Sequence, residues 1–209
     1  MNEEVIQEFI NKFPKLLPTL TILNENNIQY LIGGSGSLFL LGNKRIPDDV
    51  DIYIQDKDHD KVDELFGITS FQYKSKTEDV RNSNPENDHS IQITSHLNIT
   101  IHSTTYNLQI TDEVLNNKIR VAFQNTEFFL LPTEDVLLIK AILQRGKDVG
   151  KNDLEDIYII LAKIQENIGV IQLLEKKEQA GSQFKPVLNN KIEALKELAK
   201  ALLFAIIFD

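Results

Sequence analysis

The hydrophobic pattern over the first 26 residues is helical. Apolar side chains recur there at spacings of three and four, which is typical of amphipathic helices that bury one face. Pro14 and Pro18 interrupt this pattern, and proline inside a helix removes a hydrogen bond and clashes with the preceding turn. The sequence therefore predicts two short helices, followed by a polar turn at residues 24–27.

Two short apolar segments come next, and both are predicted to be buried strands. Residues 28–32 form a mostly apolar run that leads directly into glycine. Residues 50–54 alternate, so that their aliphatic side chains occupy one face of a strand. The side chains of Asp49, Asp51 and Tyr53 are predicted to share the opposite face.

The middle of the chain is predicted to add strands and one polar loop. Period-two alternation over residues 90–102, broken at residues 95–97, predicts an antiparallel hairpin. Residues 76–88 are polar and contain Pro85, which predicts a mobile loop. Other predicted elements are a surface helix at 57–66 and short strands at 69–75, 118–123 and 127–131.

After Pro132 the pattern returns to helix, with Thr133 as the N-cap. Predicted helices cover residues 133–143, 152–166, 167–178 and 186–207. The chain is thus expected to be an α+β (α/β) protein, with a mixed sheet flanked by helices in residues 1–131 and a C-terminal helical region, residues 132–209, packed on it. Residues 191–208 end in LLFAIIF, so they are expected to be covered, either by the first domain or by a second copy in a homodimer.

Composition narrows the cellular setting. The chain has no cysteine, its first residues are acidic rather than apolar, and its longest apolar run, residues 201–208, is too short to cross a bilayer. These features favour a soluble cytoplasmic protein without a membrane partner. The net charge of −9 opposes non-specific binding to nucleic acid, and it means that a nucleotide would need Mg²⁺ to bridge it to an acidic site.

Two features close in sequence suggest chemistry. Gly33, Gly34 and Ser35 directly follow the first predicted strand, where glycine allows a sharp turn and lets a phosphate approach backbone N–H groups. Asp49 and Asp51 lie two residues apart on a strand, so their oxygens can converge on one Mg²⁺ ion. Either feature alone is most often a plain turn or a solvated strand end, and the combination is more specific.

The segment 30–35, YLIGGS, followed by 45–52, RIPDDVDI, resembles the signature of the nucleotidyltransferase superfamily. The resemblance is nearest the branch that holds the aminoglycoside and lincosamide nucleotidyltransferases and the AbiEii or MenT-type toxins. Downstream, LPTED at 131–135, Lys140, Arg145 and NDLEDI at 152–157 resemble the helical region of the same branch. The resemblance implies a nucleotidyltransferase-type sheet.

The resemblance also implies roles for individual residues. Gly33, Gly34 and Ser35 would hold the phosphates of an NTP, while Asp49 and Asp51 would bind the cofactor Mg²⁺ and serve catalysis. Arg45 would support the loop or the phosphates. Lys140 resembles a lysine that contacts phosphate, and Asp153 resembles an acid used as general base. Alternatively, Lys140 is a solvated helix residue and Asp153 caps the next helix.

The chain departs from the family pattern at the third carboxylate, which a later strand normally supplies. On the strand expected to carry it, residues 98–102, the site-facing positions would be Asn98, Thr100 and His102, and none is a carboxylate. Asp153 is therefore the predicted base.

Two functions remain open after this departure. One is an enzyme that transfers a nucleoside monophosphate from an NTP to an acceptor hydroxyl, with a small molecule favoured over RNA as the acceptor. The other is a catalytically degenerate module that binds a nucleotide or a partner, as in toxin–antitoxin or regulatory pairs.

Overall fold

The computed structural model describes residues 3–66, 70–74, 77–83, 90–101, 104–124, 126–143 and 151–164. The chain divides between Pro132 and Thr133 into two compact units. Within the described ranges, no helix has both the length and the apolar character needed to cross a membrane. The predicted helices at 167–178 and 186–207, and the expected cover over residues 191–208, lie outside the described residues.

Seven helices and nine strands are described. The helices are α1 Glu3–Lys12, α2 Leu16–Glu25, α3 Gly34–Leu40, α4 His59–Phe66, α5 Asp112–Asn116, α6 Thr133–Leu143 and α7 Asp153–Ile164, with a 3-10 turn at Asp56–Asp58 before α4. The strands are β1 Tyr30–Ile32, β2 Val50–Ile54, β3 Ser70–Lys74, β4 Thr77–Ser83, β5 Ile91–Thr94, β6 His96–Ile101, β7 Thr104–Gln109, β8 Ile119–Phe123 and β9 Thr126–Leu130.

The two predicted N-terminal helices are confirmed as α1 and α2, which the segment containing Pro14 separates. Their apolar faces build one side of the core. Phe9 of α1 packs edge-on against Phe13 and stacks on Phe39 of α3, with ring centroids 5.1 and 5.8 Å apart. Because α3 begins at the glycine turn after β1, this aromatic packing fixes the helix that carries the turn.

The nine strands form one mixed sheet, as predicted. Eight of the described strands follow the order β7-β6-β4-β5-β2-β1-β9-β8. The ninth, β3, is not part of this linear order and pairs with β4. In its centre, β2 runs parallel to β5 and antiparallel to β1, while β1 runs parallel to β9. Both β1 and β2 are buried almost throughout, since helices cover the sheet around them.

The predicted hairpin at residues 90–102 is wrong. β5 and β6 both pair antiparallel with β4, so they run in the same direction and do not form a hairpin with each other. Asn82 lies opposite Ile93 and Asp79 lies opposite Leu97, so three residue steps on β4 match four steps on the other side. The extra residue is a β-bulge around Ser95, where the chain continues in the same direction instead of turning back.

The polar segment 76–88 also differs from its prediction as a loop. Thr77–Ser83 is strand β4, which forms a hairpin with β3 and pairs with both β5 and β6. Residues 84–89, including Pro85, lie outside the described part of the chain. The strand carries no apolar alternation, so its sequence gave no periodic signal.

Candidate active site

The turn after β1 needs glycine at both of its first positions. The N–H of Gly33 donates to the backbone oxygen of Asp51 at 2.8 Å, which ties the turn to β2. A Cβ on Gly33 would collide with the buried ring of Tyr53. Gly34 has φ +55°, and a Cβ there would lie 2.5 Å from Oδ2 of Asp51. The turn and the Asp51 carboxylate are therefore direct neighbours.

Gln92 on β5 lies opposite Asp51 and is hydrogen-bonded to Asp49. Gln92 lies opposite Asp51 in the parallel pairing of β2 and β5, so their side chains share one face of the sheet. Its Nε2 donates to Oδ2 of Asp49 at 3.4 Å. Both aspartates are half-buried. The structure thus brings Asp49, Asp51 and the glycine turn together where β1 ends and the neighbouring strand β2 begins.

Gln92 was missed in the sequence, and the reason is the wrong hairpin. The strand beside β2 is β5, whereas the strand expected there, residues 98–102, overlaps β6, which pairs with β4 and β7. His102 lies outside the described residues. A usable signal was present: Ile91-Gln92-Ile93 repeats the apolar–polar–apolar pattern of Val50-Asp51-Ile52.

Arg45 joins the same site from the loop between α3 and β2. Its Nη2 donates to Oγ of Ser35 at 3.4 Å, and both residues are half-buried. A guanidinium and a hydroxyl at the start of α3 both suit an anion such as phosphate. The structure therefore places Arg45 beside the turn residue with which the sequence associated it.

Lys140 and Asp153 lie in the second unit, where they contact each other. Nζ of Lys140 is 3.1 Å from Oδ1 of Asp153 and 2.7 Å from Oδ2 of Asp156, so it joins α6 to α7. All three side chains are withdrawn from solvent, with 7%, 2% and 0% exposure. Asp156 was missed in the sequence, although residues three apart on a helix share a face. The phosphate contact of Lys140 and the base role of Asp153 stay predictions.

The donor set at Asp49 and Asp51 fits a magnesium ion that is shared with a phosphate. Mg²⁺ in proteins is usually held by one or two carboxylates and completes its shell with water and substrate oxygens. Among the described residues, no group of three or more histidine, aspartate or glutamate side chains is placed to hold a metal. Two carboxylates beside a glycine turn fit an ion whose remaining ligands are water and substrate oxygens.

Comparison with known proteins gives one family. The profile described as "Nucleotidyl transferase of unknown function (DUF2204)" matches residues 12–194. No curated protein is significantly similar to the chain in sequence.

Structural comparison finds several similar solved structures. A Thermotoga maritima protein assigned as a nucleotidyltransferase has a TM-score of 0.51 at 15% identity, over 65% of this chain and 89% of that one. The antibiotic-resistance factor ANT(2'')-Ia has a TM-score of 0.50 at 11% identity, over 98% and 96%. Lincomycin-bound LnuA, a lincosamide antibiotic adenylyltransferase, has a TM-score of 0.44 at 16% identity, over 70% and 94%. The first two likenesses show a shared fold, and with the family profile they confirm the predicted fold class.

Proposed function

The chain belongs to the family Nucleotidyl transferase of unknown function (DUF2204), and from this premise we propose that it transfers a nucleoside monophosphate from an NTP to a hydroxyl group of a small molecule. One observation carries the proposal: the Asp51 carboxylate touches the Gly34 turn and lies beside Gln92, which contacts Asp49. A glycine turn that suits a phosphate, with two carboxylates beside it, favours a ligand that brings both a phosphate and a cation. A magnesium–triphosphate complex supplies both charges.

The chain's own residues divide the work of binding. Gly34 and Ser35 would offer backbone N–H groups, and Ser35 its hydroxyl, to phosphate oxygens, while Arg45 adds a positive charge next to Ser35. Gly33 would shape this turn, since its own N–H donates to the backbone oxygen of Asp51. Asp49 and Asp51 would hold Mg²⁺, which neutralises the triphosphate when it is bound. Gln92 holds one oxygen of Asp49 and so orients that carboxylate.

The reaction balances as a phosphoryl substitution. The acceptor hydroxyl oxygen forms a bond to the α-phosphorus, the bond from this phosphorus to the bridging oxygen breaks, and pyrophosphate leaves. The hydroxyl proton passes to a base. Gln92 cannot take it, because a carboxamide has no basic oxygen at neutral pH. Asp153 stays the predicted base, and its ion pair with Lys140 makes the Asp153→Asn variant a necessary test.

The acceptor is proposed to be small and cationic. An acidic chain with a net charge of −9 attracts a hydroxylated amine and repels a polyanion such as RNA. The neighbour ANT(2'')-Ia is described as an antibiotic-resistance factor, which makes aminoglycosides and amino sugars a sensible first panel of acceptors.

Gln92 also favours a second candidate, a module that binds a nucleotide or a protein partner without turnover, in a toxin–antitoxin or regulatory pair. At the position next to Asp51 an uncharged amide supplies neither negative charge nor a base. With glutamine rather than a carboxylate at this position, a nucleotide would still bind through the turn and the aspartates. Transfer would depend on a base elsewhere in the chain.

Calorimetry and label transfer test the proposal together. Each NTP is titrated with and without Mg²⁺, and α-labelled NTP is incubated with the acceptor panel. We expect Mg²⁺-dependent binding and labelled product, with Asp51→Asn removing the metal dependence and the exposed Asp56→Asn serving as a matched control. Equal affinity with and without Mg²⁺ in the parent chain would count against the site.

The same experiment separates the two candidates. Binding without transfer in the parent chain, followed by transfer in Gln92→Glu, would support the module and assign its inactivity to the missing carboxylate. Transfer in the parent chain would support the enzyme.

A further inference from the structure

Strand β8 forms one edge of the sheet, because it is the last strand of the order and pairs only with β9 among the described strands. Successive residues of a strand direct their backbone groups to opposite sides. The N–H of Leu131, directly after β9, donates to the Ile32 carbonyl, so the odd-numbered residues of β9 direct their groups towards β1. Arg120 and Ala122 lie opposite odd-numbered residues of β9, so their own N–H and C=O groups point away from β9, to the outside of the sheet.

The outer side of β8 is open. The outward N–H and C=O groups of Arg120 and Ala122 make no hydrogen bond with another described residue. Both residues are exposed, whereas Val121 and Phe123, which alternate with them, are buried on the other face of the strand. A row of unpaired backbone groups is a template for another strand. A further strand can therefore join here while the core behind β8 stays as it is.

We propose that β8 pairs antiparallel with β8 of a second copy of this chain, about a twofold axis at Val121. In this register Arg120 lies opposite Ala122 of the second copy, and the two residues exchange their N–H and C=O groups. On the other face, Ile119 lies opposite Phe123 of the second copy, and β-branched and aromatic side chains are favourable cross-strand neighbours. Ile119 is only half-buried in the single chain, so this pairing would cover it further.

Charge complementarity supports a second copy as the partner. Glu127 lies opposite Ala122 within its own hairpin, so Arg120 of one copy points across the alanine methyl group of the other copy towards Glu127. Their Cα atoms would be about 10 Å apart, one hydrogen-bonded and one non-hydrogen-bonded strand spacing, which two long side chains can bridge. Within the single chain, Arg120 lies 6.0 Å from the centroid of the Phe129 ring, and neither Arg120 nor Glu127 is in an ion pair with a described residue. Both charges are therefore available to the second copy.

The other symmetric registers that use the same backbone groups are less favourable. Centring the pair on Arg120 places two guanidinium groups directly opposite each other, and like charges destabilise an antiparallel pair. Centring it on Ala122 moves Arg120 opposite Gln124, which follows the last residue of the strand, and out of line with Glu127. The side chains thus favour the register centred on Val121.

Sedimentation equilibrium at concentrations up to about 1 mM tests the proposal. The edge is short, and interfaces below about 1,200 Å² are typical of weak association, so we expect a dimer that forms as the concentration rises. About 0.15 M salt screens the repulsion between two chains of net charge −9. A parent chain that stays monomeric over the whole range would overturn the proposal.

Charge reversal identifies the surface. Arg120→Glu and Glu127→Arg each place like charges across the axis and should weaken the dimer at least about tenfold. An equal mixture of the two variants has complementary charges at both positions and should form a heterodimer about as stable as the parent dimer. The matched controls, Lys57→Glu and Glu64→Arg, make the same charge changes at exposed residues outside β8 and β9 and should dimerise like the parent.

Ala122→Pro tests the backbone pairing. Proline removes the outward N–H and is tolerated on an edge strand where that group faces solvent, so the variant should stay folded by circular dichroism and lose the dimer. Ala122→Ser keeps the N–H and should keep the dimer. If the proline variant does not fold, the mixture of charge variants decides alone. A mixture that does not associate, a dimer that persists in both charge reversals, or stronger association of Arg120→Glu would each overturn the proposal, the last because Arg120 would then protect the edge.

Discussion

Two pairs of carboxylates in this chain have opposite surroundings. Asp49 and Asp51 in the first unit stay half-buried beside the glycine turn. Asp153 and Asp156 in the second unit are withdrawn from solvent and share the ammonium of Lys140. Removing a carboxylate from water is costly unless a cation and hydrogen bonds replace the water. The second pair thus has its cation built into the chain. The first pair keeps the solvent exposure through which a cation from solution can reach it.

Removing the built-in cation should have the largest effect. Lys140→Met keeps the aliphatic stem and deletes the ammonium that both buried carboxylates contact. The free energy of unfolding should fall by about 3–5 kcal/mol, as for other broken buried ion pairs, in urea titrations followed by circular dichroism. The exposed Lys151→Met is the control and should stay within about 0.5 kcal/mol of the parent.

The opposite result would break the comparison. If Lys140→Met unfolds like the parent and weakens NTP binding, the phosphate contact predicted from sequence is right.

Asp153→Asn tests whether the other member of this ion pair is catalytic or structural. A base role predicts about 10²- to 10⁴-fold slower transfer with unchanged NTP binding, whereas a purely structural role predicts lower stability.

The first pair can be disturbed through its glycine neighbour. Gly34→Ala puts a methyl group 2.5 Å from Oδ2 of Asp51 and forces alanine to φ +55°. We expect a loss of about 1–3 kcal/mol in stability and weaker Mg²⁺–NTP binding by calorimetry, because the left-handed conformation costs about 1–2 kcal/mol and the carboxylate must move.

Gly36→Ala on the same helix is the matched control for Gly34→Ala. The new methyl group would lie 3.4 Å from the side chains of Ile32 and Phe9, which is an ordinary contact. The free energy of unfolding of this variant should therefore stay within about 1 kcal/mol of the parent. Equal losses of binding in both variants would show that α3 as a whole, rather than the Asp51 contact, matters.

Tyr30 extends the comparison to a buried ionisable group that is neutral at pH 7 and so needs no cation. Its substitution should have the smallest effect on stability at neutral pH. Burial, with a smaller contribution from the Glu127 charge, raises its pKa from 10.0 to about 12, against a hydrogen bond with Asn24 that lowers it. A folded pKa above the unfolded one stabilises the fold below pH 10, and this contribution of about 3 kcal/mol is lost as the pH rises towards 12.

Tyr30→Phe should remove this pH dependence. At neutral pH it should cost about 1 kcal/mol, because the hydroxyl no longer donates to the Glu127 carbonyl at 3.2 Å. Urea titrations at pH 8, 10 and 11 compare parent and variant. Parallel stability curves over this range would mean that Tyr30 ionises as easily in the folded chain as in the unfolded one.

Local pattern was enough for the elements that build the site. The proline positions predicted α1 and α2, and the alternation over residues 50–54 predicted β2 with Asp51. Asp49, which was expected on the same strand, lies one residue before β2 begins. Glycines after an apolar run predicted the turn. These features depend on residues that are close together in the sequence, so they can be predicted without knowing which strands pair.

Pairing between distant segments could not be read in the same way. The sequence around Ser95 is consistent with both a hairpin turn and a bulge, and only the partner strand distinguishes them. That partner, β4, is polar and lacks periodicity, so nothing local marked it as a strand. The error moved the expected neighbour of β2 to residues 98–102 and hid Gln92. The ion pair of Asp156 was missed for a similar reason, since it depends on how two helices pack.

The position of β1 between β2 and β9 has a consequence for how the chain is made. The N–H of Leu131 donates to the Ile32 carbonyl at 2.8 Å, and the Tyr30 hydroxyl reaches a residue 97 positions later. A ribosome adding about 5–20 residues per second therefore leaves β1 without β9 for roughly 5–20 seconds. During that interval the strand behind the glycine turn has an open edge that other nascent chains can pair with. Slow, long-range closure of this edge should make the assembly of the glycine turn a late step in folding.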